Sequence, residues 1–573
     1  MSETESKFIN DAISELVISS AIKISEEEAG QFISPVFTVA KSDGGRRFVL
    51  NLKKLNTFIF APHFKLEDIR MAKQLVSPGC YMTVIDQKDA YYMIPIALES
   101  QKYLKFRWNG VLYAYTCLCF GLNLAPWLFT KIMKPVLAYL RSRGFQNVSY
   151  LDDLLTIGRT LEACLVNLQF TIKLFEELGI RINFKKSQLI PSREVKFLGF
   201  VICSIDMNLT LPISKKNNLV QKIIKYLSSN CNTIHKLAEI IGILISVCPA
   251  VKYGQLYTRQ LEIEKTLALE NSNNSFLAKM VLSNEAIKDL NWWLSHVQSA
   301  KKGLRKDSFD LRITTDASLT GWGAECNGQT TRGFWSILEN RYDINELEMI
   351  ALFNGLKCFS GANKEILCRT DNTTTISYIN KYGGCKSIKL HAIAKSIWQW
   401  CEERQITIFA SYISTKDNFV ADALSRESVD EFDFMLNSSN FNLIKNKLGD
   451  PNIDLFASNL TRQCDCFVSW KPSPGCEWVD AFTQPWTTYF YAFPPFSLIP
   501  RVLNKIRIEK CEGIVVAPYW PTQAWFPLFN DMSISQVIII PKNKNELFSP
   551  YLNRAHPLSY QVTLMAAILS GQH

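Results

Sequence analysis

Several hallmarks of secreted, membrane-spanning and repetitive proteins are missing from this sequence of 573 residues. Residues 1–7 are polar and acidic, so no signal or transit peptide is expected. The longest apolar stretches, 111–129 and 237–251, are interrupted by Gly, Asn, Pro or Glu, and neither is expected to span a membrane. We find no internal repeat and no low-complexity linker. These absences predict a globular intracellular protein of the cytoplasm or nucleus that makes no use of a membrane.

The sequence also lacks a cysteine framework, although it contains 16 cysteines. None of them forms a C-x-x-C pair, so we expect reduced thiols rather than a disulfide scaffold. A hydrophobic content of 47% and a charged content of 20% are typical of globular proteins, and the length suggests three to five domains. The net charge of +10 comes from basic clusters spread along the chain. This pattern favours a polyanionic partner, while for any single cluster a solvated surface is an equal alternative.

Changes of pattern divide the chain into four predicted regions and indicate a multidomain α/β protein. Extended and helical segments alternate over 1–205, whereas 206–305 has a helical pattern from Leu211 to about Val297, with no strand expected there before Lys301–Gly303. Region 306–428 shows the order strand, hairpin, helix, strand, helix, helix, strand, helix. Region 429–573 is rich in Trp, Phe and Pro and includes an apolar strand near 513–517.

Carboxylates follow apolar strands at two places in the first region. Asp86 ends the strand 81–85, and Asp152 and Asp153 lie between two apolar extended runs. Taken singly, Asp86 could be a helix N-cap and the Asp pair a hairpin turn. Together they favour two-metal phosphoryl transfer, in which several oxygens converge on divalent ions. Asp86 and Asp152 are the predicted ligands and Asp153 an auxiliary one.

Three ordered motifs resemble those of reverse transcriptases. They are D-x-x-D-A-Y at 86–91, F-G-L-N-L-A-P at 120–126 and Y-L-D-D at 150–153. The resemblance implies a right-hand polymerase, with fingers and palm in 1–205 and a helical thumb and connection in 206–305. It also implies that Phe120 and Gly121 contact the template and the incoming nucleotide.

Further residues receive roles from the same resemblance. Tyr91 matches the aromatic steric gate that selects deoxynucleotides, with a core tyrosine as the alternative. Cys119 and Asn51 depart from the usual pattern, which has Pro and Asp there, but neither removes a metal ligand. The remaining implied residues are Lys41 and Arg47 for the triphosphate, Lys185 or Lys186 near it, and Phe197, Leu198 and Gly199 for the primer grip.

A second carboxylate series in 306–428 resembles the ribonuclease H of retrotransposons. It consists of Asp316, Glu346, Asp371 and Asp422, the last inside A-D-A-L-S-R. The resemblance implies that these residues hold two Mg²⁺ ions that activate water against RNA. Glu346 and Glu348 could alternatively form a solvated helix face. Where many relatives carry a mobile His before the last Asp, this chain has Thr415, Lys416 and Asp417, so product release is expected to differ.

The last region resembles a degenerate adenine-N6 DNA methyltransferase. The segment 491–497 carries Phe493 where those enzymes have Asn or Asp before Pro-Pro-aromatic, and a phenyl ring cannot accept a hydrogen bond from adenine. We therefore predict a noncatalytic α/β module. Asp454 and Asp480 are candidate cofactor residues with loop or cap roles as the favoured alternative. Cys464, Cys466 and Cys476 lack a fourth zinc ligand.

The order of these regions resembles retrotransposons of the tyrosine-recombinase class, the DIRS and Ngaro type. The expected activity is RNA- and DNA-directed DNA polymerisation with ribonuclease H, using two Mg²⁺ per site, with Mn²⁺ as a substitute. Expected partners are an RNA template, a DNA primer, the RNA–DNA hybrid and deoxynucleoside triphosphates, with a separate recombinase; the oligomeric state stays open. Alternatives are a nucleic-acid-binding protein that has lost its chemistry and the polymerase of a DNA virus that replicates through RNA. The presence of all seven carboxylates disfavours the first alternative.

Overall fold

The computed structural model describes residues 3–40, 46–229, 231–304, 309–426, 434–543, 547–550 and 554–572. The chain divides into two compact units. The first contains 1–230, 242–252 and 290–306, and the second contains 231–241, 253–289 and 307–573. Both units take parts of the predicted thumb region 206–305, and the four-region division stays a prediction. No helix within the described ranges is long and apolar enough to cross a membrane.

The first region is built around a four-stranded antiparallel sheet in the order β7-β8-β4-β9. Helix α4 buries Ala125, Phe129, Met133, Leu137 and Leu140, whose spacing of three and four residues places them on one face. The elements are α1 (Glu3–Ile18), β1 (Ile22–Ile24), β2 (Val36–Ala40), β3 (Arg46–Leu50), α2 (Ile69–Leu75), β4 (Tyr81–Asp86), α3 (Leu98–Gln101), β5 (Lys105–Trp108), β6 (Val111–Tyr115), α4 (Ala125–Ser142), β7 (Gln146–Tyr150), β8 (Asp153–Gly158), α5 (Leu161–Glu177), β9 (Gln188–Ser192), β10 (Glu194–Phe197) and β11 (Phe200–Cys203).

The next region is helical, with four short strands. Strands β10, β11, β12 and β15 form one sheet, in which the predicted strand Lys301–Gly303 pairs with β12. The prediction of no strand between 211 and 297 was wrong in one detail, because β13 and β14 pair over two residues each and so leave no alternating pattern. The elements are β12 (Asn208–Thr210), α6 (Ile213–Leu227), β13 (Asn232–Thr233), α7 (Ile234–Val247), α8 (Leu256–Asn271), β14 (Lys279–Met280), α9 (Asn284–His296) and β15 (Lys301–Gly303).

The third region has the predicted order of strands and helices. Its five-stranded sheet has the order β18-β17-β16-β19-β20, with an antiparallel β16-β17-β18 meander and parallel pairing of β16 with β19 and of β19 with β20. The elements are β16 (Leu311–Ala317), β17 (Gly321–Cys326), β18 (Gln329–Phe334), α10 (Ile344–Phe359), β19 (Glu365–Thr370), α11 (Thr373–Asn380), α12 (Ile388–Glu403), β20 (Thr407–Tyr412) and α13 (Phe419–Arg426).

The last region contains a seven-stranded sheet in the order β24-β23-β22-β25-β26-β30-β27. The first five strands run parallel, and β30 lies antiparallel between β26 and β27. The elements are β21 (Met435–Leu436), α14 (Ser438–Leu448), β22 (Ile453–Asp454), β23 (Cys466–Ser469), β24 (Trp478–Val479), β25 (Phe490–Ala492), α15 (Ile499–Glu509), β26 (Glu512–Pro518), α16 (Phe526–Asp531), β27 (Ile538–Ile540), β28 (Leu547–Ser549), β29 (Arg554–Ala555) and β30 (Leu564–Ser570).

Candidate active sites

The first carboxylate site lies at the end of the central palm strands. Strand β4 buries four consecutive residues before it reaches Asp86, whose register partner on β8 is Asp153. Asp153 also pairs with Tyr150, so Leu151 and Asp152 form the two-residue turn between β7 and β8. Leu151 adopts the left-handed conformation, with φ 50°, that such a tight turn requires. The fold thus brings Asp86 to the adjacent pair Asp152 and Asp153, from which the sequence separates it by more than 60 residues.

The charges of this site act on one another. Burial raises the pKa of Asp153 to about 6, and the neighbouring carboxylates of Asp152 and Asp86 contribute to the rise. The ammonium group of Lys186 acts in the opposite direction on the pKa of Asp153. The charge of Lys186 therefore reaches the Asp153 carboxylate. Lys185 and Lys186 are both exposed, so burial does not distinguish them.

Backbone hydrogen bonds fix the loop that carries Asp86. Its N–H donates to Ser187 Oγ at 3.0 Å, and its carbonyl accepts from the Asn183 N–H at 2.8 Å. The Ser187 hydroxyl in turn donates to the Asn183 carbonyl at 2.8 Å. The Gln87 N–H donates to the Asp152 carbonyl at 2.8 Å, which ties the end of β4 to the hairpin turn. Ser187 belongs to a motif that the sequence singled out, but the pattern gave it no role.

Tyr91 lies in an aromatic cluster beside the carboxylates. Its ring centroid is 4.9 Å from that of Phe120 and 5.6 Å from that of Phe129. Burial raises the pKa of Tyr91 to about 12, and the Asp152 carboxylate is the next cause, so this hydroxyl is near the hairpin turn. The Phe120 side chain is 43% exposed and offers a face to a ligand.

The segment around Gly121 is held by an asparagine from another motif. Gly121 has φ +98°, which favours glycine, and its carbonyl accepts from Asn56 Nδ2 at 2.9 Å. Asn56 Oδ1 also accepts from the Asn123 N–H at 3.0 Å. Asn56 therefore links the Leu55-Asn56 motif to the Phe-Gly segment, a connection that linear motifs do not reveal.

Lys41 and Arg47 are the residues expected to contact the triphosphate from the fingers. Lys41 lies outside the described residues, and so does the side chain of Arg47, whose backbone pairs with Val39 in the hairpin β2-β3. The adjacent Arg46 forms an ion pair with Glu5 and donates to Thr38 Oγ1 at 2.7 Å. The roles expected of Lys41 and Arg47 stay predictions.

The predicted primer grip is a tight hairpin turn. Phe197 pairs with Phe200, and both residues between them, Leu198 and Gly199, have positive φ values of 49° and 74°. Phe197 is buried, with 1% exposure. The positive φ of Gly199 is the conformation that favours glycine. The structure thus has a turn at the residues that the sequence analysis named, while their contact with a primer stays a prediction.

The second carboxylate site lies at the end of β16 and β19. Ligand oxygens of Asp316, Glu348 and Asp371 all lie within 4.8 Å of one another, and within the described ranges this is the only such group of three or more His, Cys, Asp or Glu residues. Asp316 and Glu348 are each 4% exposed. Burial, with the charges of Asp316 and Asp371 next, raises the pKa of Glu348 to about 8. Burial also raises the pKa of Asp316 to about 6.

This arrangement corrects one predicted residue. Glu346 does not join the cluster, because it occupies the third position of helix α10 and its Oε2 accepts from the Asp343 N–H at 2.9 Å in a capping box. Glu348 is two residues further on and faces about 200° away around the helix. The prediction placed a ligand near the start of helix α10 but named Glu346, which caps the helix, instead of Glu348.

Asp422 and Thr415 lie next to the second carboxylate site. Asp422 is not in the close group; its Oδ1 lies 2.8 Å from Arg426 Nη2, and its charge contributes to the raised pKa of Asp316. The Thr415 hydroxyl donates to Asp371 Oδ2 at 2.7 Å. A residue predicted to alter product release thus contacts the site directly. Lys416 is exposed, and Asp417 accepts from Ser414 Oγ at 2.6 Å and is not part of the close carboxylate group.

Both sites offer carboxylate oxygens, the ligands that Mg²⁺ and Mn²⁺ prefer. The second site fits such an ion best, because three carboxylates converge and two of them have raised pKa values that a cation would lower. The first site fits through the opposed Asp86 and Asp153 with Asp152 in the adjoining turn.

Comparisons with known proteins point in the same direction. Residues 39–202 match the family "Reverse transcriptase (RNA-dependent DNA polymerase)". Residues 314–428 match the family "Reverse transcriptase-like". The chain thus combines a reverse-transcriptase-like region with a ribonuclease H-like region, each containing one carboxylate site.

Curated relatives come from a retrotransposon and from plant viruses. The Pol polyprotein of the gypsy transposon of Drosophila melanogaster is 24% identical over 450 residues, covering 74% of this chain and 41% of that protein. Polyprotein P3 of Commelina yellow mottle virus is 24% identical, covering 70% and 21%. The enzymatic polyprotein of cauliflower mosaic virus is 25% identical, covering 71% and 59%. The chain therefore spans less than two thirds of each of these relatives.

Among solved structures, foamy viral protease-reverse transcriptase is similar. Its complex with an RNA/DNA hybrid has a TM-score of 0.47 and 18% identity, covering 76% of this chain and 58% of that one. Its complex with dsDNA has a TM-score of 0.46 and 20% identity, covering 72% and 84%.

The candidate residues of the last region serve local structure. The Asp454 carboxylate accepts from the backbone N–H groups of Phe456 at 3.2 Å and Gln463 at 3.0 Å. Asp480 accepts from the Phe482 N–H at 3.0 Å and caps a short 3₁₀ turn. Both contacts are those of the loop and cap alternatives. Cys464, Cys466 and Cys476 are all described and belong to no metal-binding group.

Proposed function

We propose that the chain is an RNA-directed and DNA-directed DNA polymerase joined to a ribonuclease that degrades the RNA of the resulting hybrid. The observation that carries this proposal is the meeting of Asp86, Asp152 and Asp153 at one end of the palm sheet, within the region that matches reverse transcriptases. The convergence of a second carboxylate site within the ribonuclease H-like region supports the second activity.

In the polymerase, Asp86 and Asp152 would hold two divalent ions, Mg²⁺ or Mn²⁺, with Asp153 as an auxiliary ligand. When bound, such ions supply Lewis-acid activation of the attacking oxygen and compensate charge on the leaving phosphate. The chain itself orients these groups through the fixed loop at Asp86 and the tight turn at Leu151. The charge of Lys186 acts on Asp153, so we assign it the place near the triphosphate in preference to Lys185.

Tyr91, Phe120 and Gly121 would form the pocket for the incoming deoxynucleotide. Tyr91 packs against the rings of Phe120 and Phe129 and is 8% exposed, which suits a fixed ring that excludes a ribose 2′-hydroxyl. The turn Phe197-Leu198-Gly199 would contact the primer, and Lys41 and Arg47 the triphosphate. The substrates are thus an RNA template, a DNA primer and deoxynucleoside triphosphates.

In the ribonuclease, Asp316, Glu348, Asp371 and Asp422 would hold the ions and position water against an RNA phosphodiester. Glu348 replaces Glu346 in this set for the geometric reason given above. Asp422 would join as a more loosely held ligand, since Arg426 already pairs with it.

Primer extension on RNA with Mg²⁺ tests the polymerase. The parent is expected to extend the primer, whereas Asp152→Asn should reduce extension by about 1000-fold, because each lost tenfold is 1.36 kcal/mol and a metal ligand contributes several. The exposed Asp206 of the β11-β12 turn gives the matched control Asp206→Asn, which should extend like the parent. Absence of extension by the parent, or equal extension by Asp152→Asn, would refute the mechanism.

Cleavage of labelled RNA in a DNA hybrid tests the ribonuclease. Asp371→Asn should leave the RNA intact while primer extension by the same preparation continues, which shows that the chain is folded. Equal cleavage by the parent and the variant would remove Asp371 from the site.

For region 429–573 we propose a noncatalytic relative of adenine DNA methyltransferases, in a retrotransposon of the DIRS and Ngaro type. A sheet of five parallel strands with an antiparallel strand inserted near its edge supports an α/β ligand-binding ancestry. Phe493 follows β25 at the point where strand order reverses, which is where ligands bind in such sheets, and its ring packs near Phe496. The full chain is expected to transfer no labelled methyl group from S-adenosylmethionine to DNA. Methylated adenine in the product would overturn this assignment.

The cytoplasmic or nuclear location and the separate recombinase have no structural counterpart and stay predictions, and the oligomeric state stays open. A virus that replicates through RNA is the second candidate source, and the plant viral relatives favour it. It implies the same two activities.

A further inference from the structure

We propose that Ser425 is a positioning residue of the ribonuclease site, whose hydroxyl holds the Asp316 carboxylate in place for metal binding. This inference rests on the proposed ribonuclease activity. Ser425 Oγ lies 2.7 Å from Asp316 Oδ2 and is 1% exposed. No role was assigned to this serine from the sequence, although it belongs to the A-D-A-L-S-R motif.

The Ser425 hydroxyl has two acceptors within reach. It lies 2.8 Å from the Asp422 carbonyl, one turn earlier in helix α13, and 2.7 Å from the Asp316 carboxylate. A hydrogen bond to a charged carboxylate is shorter and stronger than one to a neutral carbonyl. The carboxylate is therefore the preferred acceptor, and the hydrogen bond connects the last helix of the region to its first strand.

A second side chain holds the other oxygen of Asp316. Asn418 Nδ2 lies 3.3 Å from Asp316 Oδ1 and also donates to the Thr315 carbonyl at 3.2 Å. Asn418 is 1% exposed, so water does not compete for this contact. Both oxygens of Asp316 are thus fixed by residues at or just before helix α13, and rotation of the carboxylate is restricted.

A glycine allows the helix to approach closely enough. Gly323 is the register partner of Asp316 on β17. A Cβ at Gly323 would lie 2.4 Å from the Ala421 carbonyl oxygen and 2.9 Å from the Ser425 nitrogen. Any side chain at this position would push helix α13 away and lengthen the contact between Ser425 and Asp316. The close packing indicates that the contact is a built feature of the fold.

The contact matters because three carboxylates converge within 4.8 Å and repel one another. Without restraint, Asp316 would lower this repulsion by rotating away from Glu348 and Asp371. The Ser425 hydroxyl opposes that rotation and keeps the ligand oxygens together before an ion binds. Metal binding then requires less reorganisation of the side chains.

The test measures Mg²⁺ binding as well as cleavage by the full chain. Ser425→Ala is expected to raise the half-saturating Mg²⁺ concentration for hybrid cleavage about tenfold, because a hydrogen bond to a charged group is lost. Calorimetric titration of Mg²⁺ into the Asp86→Asn chain, with and without Ser425→Ala, should show the same weakening. Primer extension by chains with an intact Asp86 should not change.

Matched variants separate the hydroxyl from packing. Ser425→Thr keeps a hydroxyl and should remain within about threefold of the parent. Ser425→Cys keeps the volume with a weak donor, should weaken Mg²⁺ binding like Ser425→Ala, and carries the test if the alanine variant does not fold. Ser396→Ala removes an exposed helical serine hydroxyl of the same region, which donates to the Ala392 carbonyl, and should leave both measurements unchanged.

Each outcome decides a different point. If the parent cleaves no hybrid, the proposed ribonuclease activity fails. If the parent cleaves and both Ser425→Ala and Ser425→Cys keep the parent's half-saturating Mg²⁺ concentration, the positioning role of Ser425 is refuted. Equal losses in Ser425→Thr and Ser425→Ala would also refute it, since packing rather than the hydroxyl would then be responsible.

Discussion

The two carboxylate sites each bring several negative charges together, but they do so at different degrees of burial. In the polymerase site, Asp152 lies exposed in a turn and Asp153 is half-buried. In the ribonuclease site, Asp316 and Glu348 are almost fully buried, and side-chain hydroxyl and amide groups hold Asp316. The highest raised pKa is accordingly about 8 for Glu348 in the ribonuclease site and about 6 for Asp153 in the polymerase site. Because burial opposes negative charge, the carboxylates of the ribonuclease site are expected to depend more strongly on a bound cation and on their hydrogen-bond donors than the carboxylates of the polymerase site.

The largest expected effect distinguishes two glutamates of one helix. Glu348→Gln should reduce hybrid cleavage by about 1000-fold, because a metal ligand is lost, while Glu346→Gln keeps an oxygen that can accept the capping hydrogen bond and should cleave nearly like the parent. Rates of cleavage at saturating Mg²⁺ check this. The reverse pattern would restore Glu346 to the site.

The next effect concerns selection of the sugar in the polymerase site. Tyr91→Ala should reduce discrimination against ribonucleotides by about 100-fold, because removal of the ring opens space for a 2′-hydroxyl, a difference of roughly 3 kcal/mol. Tyr91→Phe keeps the ring and is the control. Incorporation of single ribonucleotides and deoxynucleotides is the measurement. Unchanged discrimination in Tyr91→Ala would leave Tyr91 as a core residue.

Acidification should separate the two activities. Carboxylates must lose their protons to bind a metal, and burial raises the pKa of Glu348 to about 8 but that of Asp153 only to about 6. As pH falls from 8 to 6.5, Glu348 becomes protonated before Asp153 does. The half-saturating Mg²⁺ concentration of hybrid cleavage should therefore rise about tenfold more than that of primer extension. Parallel shifts in both activities would contradict the difference in burial.

The smallest expected effect is at an exposed hydroxyl. Thr415→Ala removes the hydrogen bond to Asp371 at a solvent-accessible position, where water can replace it. Cleavage should change only about twofold to threefold, corresponding to a net hydrogen bond of under 1 kcal/mol. Comparison with the buried Ser425 in the same assay measures what burial adds. A loss as large as that of Ser425→Ala would show that burial does not set the size of the effect.

Sequence patterns predicted the order of elements in the ribonuclease region, and they placed Asp86 at the end of an apolar strand and Asp152 and Asp153 between two extended runs, where the structure also has them. The metal-binding roles of these carboxylates stay predictions. They did not separate Glu346 from Glu348, since both stand in the first turns of one helix. The spacing Asp343-Ile-Asn-Glu346 is that of a capping box and is the signal in the sequence that could have assigned Glu346 to the helix end. The contacts of Asn56, Ser187 and Ser425 join distant parts of the sequence and have no linear signal. Strands of two or three residues, such as β13 and β22, are too short to show alternation.

The inserted strand β30 has a consequence for how the last region can be shortened. It pairs with β26 over seven residues and with β27 over three, so it covers one edge of each. A chain that ends before residue 564 would expose the apolar strand β26 along its whole length. Unpaired edges of this kind recruit other chains, so such truncations are expected to aggregate. Shortened versions of this protein should therefore end before the sheet begins.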